Sequence, residues 1–366
     1  MSVRVAIAGV SGYTGSELFR LVSEHPSFEV VWVGGEKSAG KKLSEVLFWL
    51  STSASGRSEA GTKFDRLTVE PLSDIANAAK DVDLVFLALP AGIGGEIANE
   101  IAGVSQAKVV DLGPDFRLPQ PLYERWYKRP HPAPALLEQG PDGAWIYGFT
   151  EALRDQIRKA RFVANPGCYA LASLIGLWPL ARAGILSEAS VIIDGKSGLS
   201  GAGRSAEQRL LLAEGFEDVC AYATAGHRHL PEITRFFSSE CGGASSTSVT
   251  FVPHLVPMSR GLLVTCYVVG REIPPHEEVL DTYQTCYGQE TFVQLVDEPP
   301  HTKGVRGTNS AALNVVVQET ERQRGIVVTV AIDNLGKGAA GSAVQNANLM
   351  AGLEEDCGLS RMALWP

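Results

Sequence analysis

The sequence lacks a basic excess, a paired-thiol motif and any long apolar run. Lys and Arg number 32 against 41 Asp and Glu, for a formal charge of −9. A nucleic-acid-binding domain usually carries the opposite sign, although a few cations can still gather around a phosphorylated substrate. No stretch of about 18 consecutive apolar residues occurs, so no membrane-spanning helix is expected. The six cysteines, Cys168, Cys220, Cys241, Cys266, Cys286 and Cys357, include no Cys-x-x-Cys pair and no regular spacing. That argues against a disulfide scaffold and for free thiols in a reducing, cytoplasmic setting. The opening residues run directly into an apolar strand pattern, so no secretory leader is expected. With 366 residues, 45% hydrophobic and 20% charged, the chain suits two folded domains rather than a disordered tail.

Two hydrophobic patterns divide what is present. Residues 3–8 form a short β-branched run that enters Gly9-Val10-Ser11-Gly12-Tyr13-Thr14-Gly15. A helical pattern follows over 16–25, with Leu18, Leu21 and Val22 on one face, then a strand over 29–33. Strand, glycine turn, helix and strand make one βαβ unit. Residues 83–90 and 108–112 read as continuous apolar strands, which suit a parallel sheet covered on both faces. Residues 51–63 read as a surface loop, and 117–140 give no clear pattern. After about residue 165 the period changes to two: Leu262, Val264, Cys266 and Val268 alternate, as do Ile326, Val328, Val330 and Ile332, and Leu313, Val315 and Val317. Such strands predict a mixed or antiparallel sheet. Helices are expected over 169–183, where Pro179 should kink or end the run, over 277–287, and over 339–353. The fold class expected is α/β, with an α+β second domain.

Four constellations carry chemistry. Gly9-x-x-Gly12-x-x-Gly15 between strand and helix allows a tight turn and close approach of a pyrophosphate to the helix N-terminus. At the end of the second strand, Glu36 alone favours a free ribose 2′-hydroxyl, whereas Lys37, Ser38, Lys41 and Lys42 favour a 2′-phosphate, so NADP(H) is expected over NAD. Asn165-Pro166-Gly167-Cys168 places a thiol at the start of a helix, where dipole and free N–H groups lower its pKa and can stabilise an oxyanion. The other five cysteines read as packing residues. His227 and His229, two apart beside Arg228, suit a base for that thiol, half of a metal site, or a helix cap ahead of Pro231. No companion ligand motif supports a metal, and none is expected. Finally, the small-residue run from Ser197 to Arg204 can form an anion nest, and Arg117 and Arg260 offer guanidinium groups.

Gly-Val-Ser-Gly-Tyr-Thr-Gly-Ser-Glu-Leu at 9–18, Asp-Leu-Gly-Pro-Asp-Phe-Arg-Leu at 111–118 and Asn-Pro-Gly-Cys-Tyr at 165–169 resemble the N-acetyl-gamma-glutamyl-phosphate reductase family. So do Ser-Gly-Leu-Ser-Gly-Ala-Gly-Arg at 197–204, His-Arg-His-Leu-Pro-Glu-Ile at 227–233, Pro-His-Leu-Val-Pro-Met-Ser-Arg-Gly at 253–261 and the run at 333–346. The chain departs from the family's commoner pattern at Gly113-Pro114 and Phe149-Thr150. The resemblance implies a Rossmann NADP-binding domain over 1–165, completed by a C-terminal helix over 336–366. It implies a catalytic, substrate-binding and oligomerisation domain over 166–335, and a homodimer or homotetramer. The implied activity is NADPH-dependent reduction of an acyl phosphate to a semialdehyde through a cysteine thioester, in arginine biosynthesis. Sister reductases acting on N-acetyl-aminoadipyl or aspartyl phosphate, a non-catalytic NADP sensor and a zinc hydrolase are the alternatives. Carried over by position, Cys168 is the nucleophile and His227 the acid/base, with His229 second. Arg117, Asn165, Ser197, Gly198, Arg204, His229 and Arg260 surround substrate and phosphate. Gly9, Ser11, Gly12, Tyr13, Thr14, Gly15, Ser38, Lys41, Ala88, Leu89, Pro90, Asn334 and Leu335 contact the dinucleotide.

Overall fold

The two hydrophobic patterns become two sheets of different kind. The computed structural model describes residues 2–50, 64, 66–137, 145–204, 207–240, 247–270, 272–319 and 324–365. The expected loop at 51–63 and Cys241 lie outside the described residues. The chain forms two units, Met1–Asn165 with Ser342–Leu359, and Pro166–Gly341 with Ser360–Pro366.

The first unit is built on six strands: β1 (Val3–Ala8), β2 (Phe28–Gly34), β3 (Leu84–Leu87), β4 (Lys108–Asp111), β5 (Trp145–Tyr147) and β6 (Phe162–Ala164). All pair in parallel in the order β2-β1-β3-β4-β6-β5. Val5, Ala6, Ile7 and Ala8 are fully buried, as are Val85, Phe86 and Leu87, because helices cover both faces of such a sheet. The helices of this unit include α1 (Tyr13–Ser23), α2 (Ile93–Val104), α3 (Gln120–Tyr127) and α4 (Thr150–Lys159). Helix α1 begins three residues earlier than its apolar spacing suggests, because Gly12 acts as its N-cap. Strand β3 is shorter than the apolar run at 83–90: its neighbour β1 ends where Gly9 turns with φ +90°. The stretch from 117, patternless in sequence, contains α3 and a short turn of helix at Pro134–Leu137.

The second unit holds a seven-stranded mixed sheet: β7 (Ser190–Gly198), β8 (Cys220–Ala221), β9 (Ser248–Val256), β10 (Leu262–Val269), β11 (Val293–Leu295), β12 (Ala311–Glu319) and β13 (Arg324–Ile332), ordered β11-β12-β13-β10-β7-β9-β8. The alternating residues of β10 and β13 point inward, and Leu262, Val264, Cys266, Val268, Ile326, Val328, Val330 and Ile332 are fully buried. Helix α5 (Cys168–Arg182) packs on β10 and β13 and is apolar nearly all round. It does not stop at Pro179. Proline has no N–H for the carbonyl four residues back, and that carbonyl, on Ile175, accepts instead from the Tyr287 hydroxyl at 2.8 Å. Tyr283 adds a hydroxyl to the Gly176 carbonyl at 2.6 Å. Both tyrosines stand on α7 (His276–Tyr287), which follows α6 (Leu230–Glu240). The expected helix over 339–353 is two pieces. A wide turn at Gly336–Ala340 precedes α8 (Gly341–Met350), and Gly352, at φ +74°, follows.

Candidate active site

In the first unit, the glycine turn divides into glycines the protein needs and one it does not. Gly9 combines a positive φ with a backbone so close to Ala88 that no side chain fits. Gly15 lies directly against the Gly9 carbonyl. A Cβ at Gly12, by contrast, meets only the Gly9 carbonyl at 3.6 Å, an ordinary contact. Gly12 caps α1 without a side-chain hydrogen bond, so its bareness leaves room beside the N–H groups of Tyr13 and Thr14, the place a pyrophosphate takes at a helix start. Ser11 and Ser38 flank Gly35, their hydroxyls 3.7 and 2.6 Å from where its Cβ would be. Ser38 is buried and its Oγ has no hydrogen-bond partner among the described residues. Such an orphan, four residues past β2, fits a hydroxyl placed to meet the ribose end of a dinucleotide. Lys41 is exposed, and its turn is held against residue 69 by Gly40 N–H to Val69 O at 2.8 Å and Val69 N–H to Lys41 O at 2.9 Å. These residues therefore fit a dinucleotide. Ala88 is half-buried, Leu89 buried and Pro90 exposed, just past β3.

In the second unit, Cys168 is the first residue of α5 and is partly exposed. Gly167 caps the helix with no side-chain hydrogen bond. Its own N–H donates to Glu232 Oε2 at 3.1 Å, and any side chain on it would collide with the His229 imidazole. His229 Nε2 is 3.8 Å from Glu232 Oε1, and Glu232 is buried on α6. His227 lies edge-on to His229, ring centroids 4.7 Å apart, and within 6 Å of the Tyr169, Tyr222 and Phe251 rings. Its Nδ1 accepts the His229 N–H at 3.2 Å, which leaves the proton on Nε2. Burial, then the neighbouring His229 and Arg228, push His227 down to about 3, so it is a neutral imidazole near pH 7. Burial holds the Tyr169 and Tyr222 hydroxyls far above their ordinary range, Tyr222 at about 12, and a negative charge on Cys168 adds to both shifts. Tyr169 donates to the His254 carbonyl at 2.8 Å. The thiol thus stands at a helix start near the Tyr169 and Tyr222 hydroxyls, with the His229 imidazole against the residue before it.

The opposite wall is the wide turn Gly336–Ala340. Its bonds span five residues: Gly338 N–H to Asp333 O and Ala340 N–H to Leu335 O, each 2.9 Å. A Cβ on Gly338 would lie 2.9 Å from the Cys168 Cβ, so only glycine lets this turn pass the thiol. Asp333, fully buried, shapes the turn. Its carboxylate accepts the N–H groups of Leu335, Gly336 and Gly307 and a fork from Arg260, with Nε to Oδ2 at 3.0 Å and an Nη to Oδ1 at 3.1 Å. Asn334 links Gly261 N–H and Ser200 Oγ at 2.8 and 2.9 Å. Ser197 and Gly198 sit under the same knot, with Gly198 bonded to Gly261 O at 2.9 Å. Arg204 is exposed. Arg260 and Asn334, expected as ligand contacts, are thus also engaged in shaping this loop.

Arg117 and Asn165 belong to the first unit. Arg117 is buried and donates to the Leu112 carbonyl at 2.7 Å. The buried Asn165 amide bonds to Ser342 and Asn346 at 3.1 Å each. Sequence reasoning missed Glu232, Asp333, Gly338 and Tyr222 as parts of the site. Glu232 stands in the first turn of α6, three residues after His229, close enough in sequence to return to that imidazole. The others carry no local signal.

Comparison with known proteins gives three findings. Residues 4–160 match the family described as semialdehyde dehydrogenase, NAD binding domain, and 168–334 match semialdehyde dehydrogenase, dimerisation domain. Proteins named N-acetyl-gamma-glutamyl-phosphate reductase are similar throughout: one from Dehalococcoides mccartyi is 43% identical over 99% of both chains, and one from Heliobacterium modesticaldum is 40% identical over 100% of both. Among solved structures, aspartate semialdehyde dehydrogenase II from Vibrio cholerae superposes with a TM-score of 0.68 at 19% identity, covering 96% of this chain and 99% of that one. The Candida albicans aspartate semialdehyde dehydrogenase, solved with NADP, gives 0.68 at 16% identity over 96% and 99%. At such identities the likeness is one of fold.

Proposed function

Because the chain belongs to the N-acetyl-gamma-glutamyl-phosphate reductase family, we propose that it reduces N-acetyl-gamma-glutamyl phosphate to N-acetylglutamate 5-semialdehyde with release of phosphate, a step of arginine synthesis. The observation that carries this reading is Cys168 at the bare start of α5, beside Gly338 and the imidazole pair. The α5 dipole and N–H groups favour the thiolate. That thiolate attacks the acyl carbonyl, the carbon–oxygen bond to phosphate breaks, and Cys168 is left as a thioester. The N–H groups at the helix start hold the oxyanion that forms on the way. When bound, the reduced dinucleotide supplies the hydride that takes the thioester to the aldehyde level; Ser38 and Lys41 favour NADP(H) over NAD(H). A proton donor then accompanies release of the aldehyde and the thiol. Burial keeps His227 neutral, and its Nε2–H is a fixed donor; His229, packed against Gly167 next to the thiol residue and oriented by Glu232, is the imidazole placed to carry the proton. Arg117, Arg204 and Arg260 supply cationic charge for the phosphate and carboxylate of the substrate.

The expected completion of the first domain by 336–366 narrows to Ser342–Leu359, since 336–341 and 360–366 belong to the second unit: residues 1–165 with 342–359 bind the dinucleotide, and 166–341 carry catalysis and self-association. No helix among the described residues is long and apolar enough to cross a membrane; a cytoplasmic setting suits the free thiols. The test is NADP reduction by N-acetylglutamate 5-semialdehyde with and without inorganic phosphate, against the N-acetyl-aminoadipate and aspartate semialdehydes. Phosphate-dependent NADPH formation, fastest with the first, is expected. Equal rates without phosphate, or preference for another semialdehyde, would refute the assignment.

A further inference from the structure

Asp111 ends β4, and Asp115 follows in the next bend; both are fully buried. The Asp115 carboxylate accepts Gly92 N–H at 2.9 and 3.0 Å, Gly95 N–H at 2.8 Å and the Tyr123 hydroxyl at 2.7 Å. These amides open α2, whose cap residue, Gly92, has φ +94° and no side chain to offer. Asp115 supplies from outside the cap that the helix lacks, satisfying orphan donors and meeting the positive end of the dipole. Asp111 is placed differently. Its Oδ1 accepts Gly113 N–H at 2.8 Å, while its Oδ2 is buried with no hydrogen-bond partner among the described residues. The two carboxyls converge on Gly94, where a Cβ would lie 3.2 Å from Asp111 Oδ1 and 3.6 Å from Asp115 Oδ2. Two carboxylates that close and shielded from water do not both ionise readily.

The surroundings do not relieve the pair. Burial first, then the Asp115 charge, push the Asp111 carboxyl up to about 7, against smaller opposing effects of the Gly113 amide and Arg117. Tyr123 of α3 bonds to Asp115, and His131 Nε2 lies 2.6 Å from the Asp115 backbone oxygen. Arg129 bonds to the Ala91 carbonyl and occupies the space beside Gly92. Gly113 also abuts the turn after β3, a Cβ there being 3.1 Å from Leu89 O. The pair thus sits under residues 88–92.

We propose that Asp111 and Asp115 are a positioning pair for the turn at 88–92: Asp115 holds the Gly92 and Gly95 N–H groups, Asp111 carries the proton of the pair and holds Gly113, and loss of that proton loosens the turn and weakens dinucleotide binding. The proposal rests on the reading of Ala88, Leu89 and Pro90 as dinucleotide contacts.

The test measures NADPH dissociation constants by fluorescence from pH 6 to 8.5, together with amide exchange at Gly92 and Gly95, in the wild type and Asp111→Asn. The amide mimics the un-ionised acid. Relative to Asp111→Asn at each pH, which cancels titration of NADPH itself, wild-type affinity should fall about tenfold between pH 6 and 8, as the competent fraction shrinks. Gly92 and Gly95 should lose protection over the same range in the wild type alone. The wild-type exchange profile stands as a test if the variant fails to fold. A constant wild-type-to-variant ratio with steady protection overturns the pair and leaves the dinucleotide reading intact. Loss of protection without NADPH binding at any pH overturns that reading and the binding half of the proposal with it.

Discussion

The glycine turn of the first unit and the thiol cluster of the second both build on a helix start, and they do so in opposite ways. At α1 the backbone is the site. Two glycines close the turn, a third stands bare, and the free N–H groups face outward. At α5 side chains from several elements are the site: imidazoles before α6, an acid on α6, aromatic rings from three segments and a turn that only glycine can form. A backbone site is written in a few adjacent residues and fails when a Cβ is added. A side-chain site is scattered along the chain, and it fails when a charge or a proton position is lost.

Changes in the second unit should cost activity and leave stability nearly intact. Cys168→Ser should lower phosphate-dependent NADP reduction by about 10³-fold or more with an unchanged circular dichroism spectrum; near-normal turnover would remove the thiol from the mechanism. His229→Asn should cost about 10²- to 10⁴-fold in kcat, the usual range for a general acid/base, and His227→Gln distinctly less. The reverse order would return the proton-transfer role to His227.

The first unit should show the other behaviour. Gly9→Ala forces a side chain into a positive φ and onto Ala88, and should cost about 1–3 kcal/mol in urea unfolding. Gly12→Ala should cost under about 1 kcal/mol, yet weaken NADPH binding several-fold. Equal stability losses at the two glycines would erase the distinction between required and reserved glycines. The smallest effect concerns acid. The pKa of His227 is lowered from 6.5 to about 3 in the fold, so its contribution to stability is present above 6.5 and is lost as pH falls towards 3. Unfolding midpoints of the wild type should therefore drop more steeply between pH 6.5 and 4 than those of His227→Gln.

Much of the architecture was legible because its signals are local. The strand-turn-helix at the N-terminus, the inward faces of β10 and β13 and the thiol at a helix start each depend on neighbours within one or two turns of chain. Where reading failed, a distant partner had changed the outcome. Pro179 lies inside α5 because Tyr287 reaches the carbonyl that proline abandons. The last helix is divided because the Asp333 carboxylate and carbonyl hold a wide turn ahead of it. Helix α3 was obscured by prolines that turn out to stand at its cap and first turn.

Sequence alone determined the two sheet types, the glycine turn and the candidate nucleophile, since hydrophobic period, backbone freedom and helix polarity are properties of short segments. Only the tertiary structure decided that His227 stays neutral near pH 7, why Gly338 must lack a side chain, and that Asp111 and Asp115 converge on Gly94. Proton affinity depends on burial and on charges brought close by folding, and steric room depends on which backbone passes by; neither is encoded at the residue that feels it.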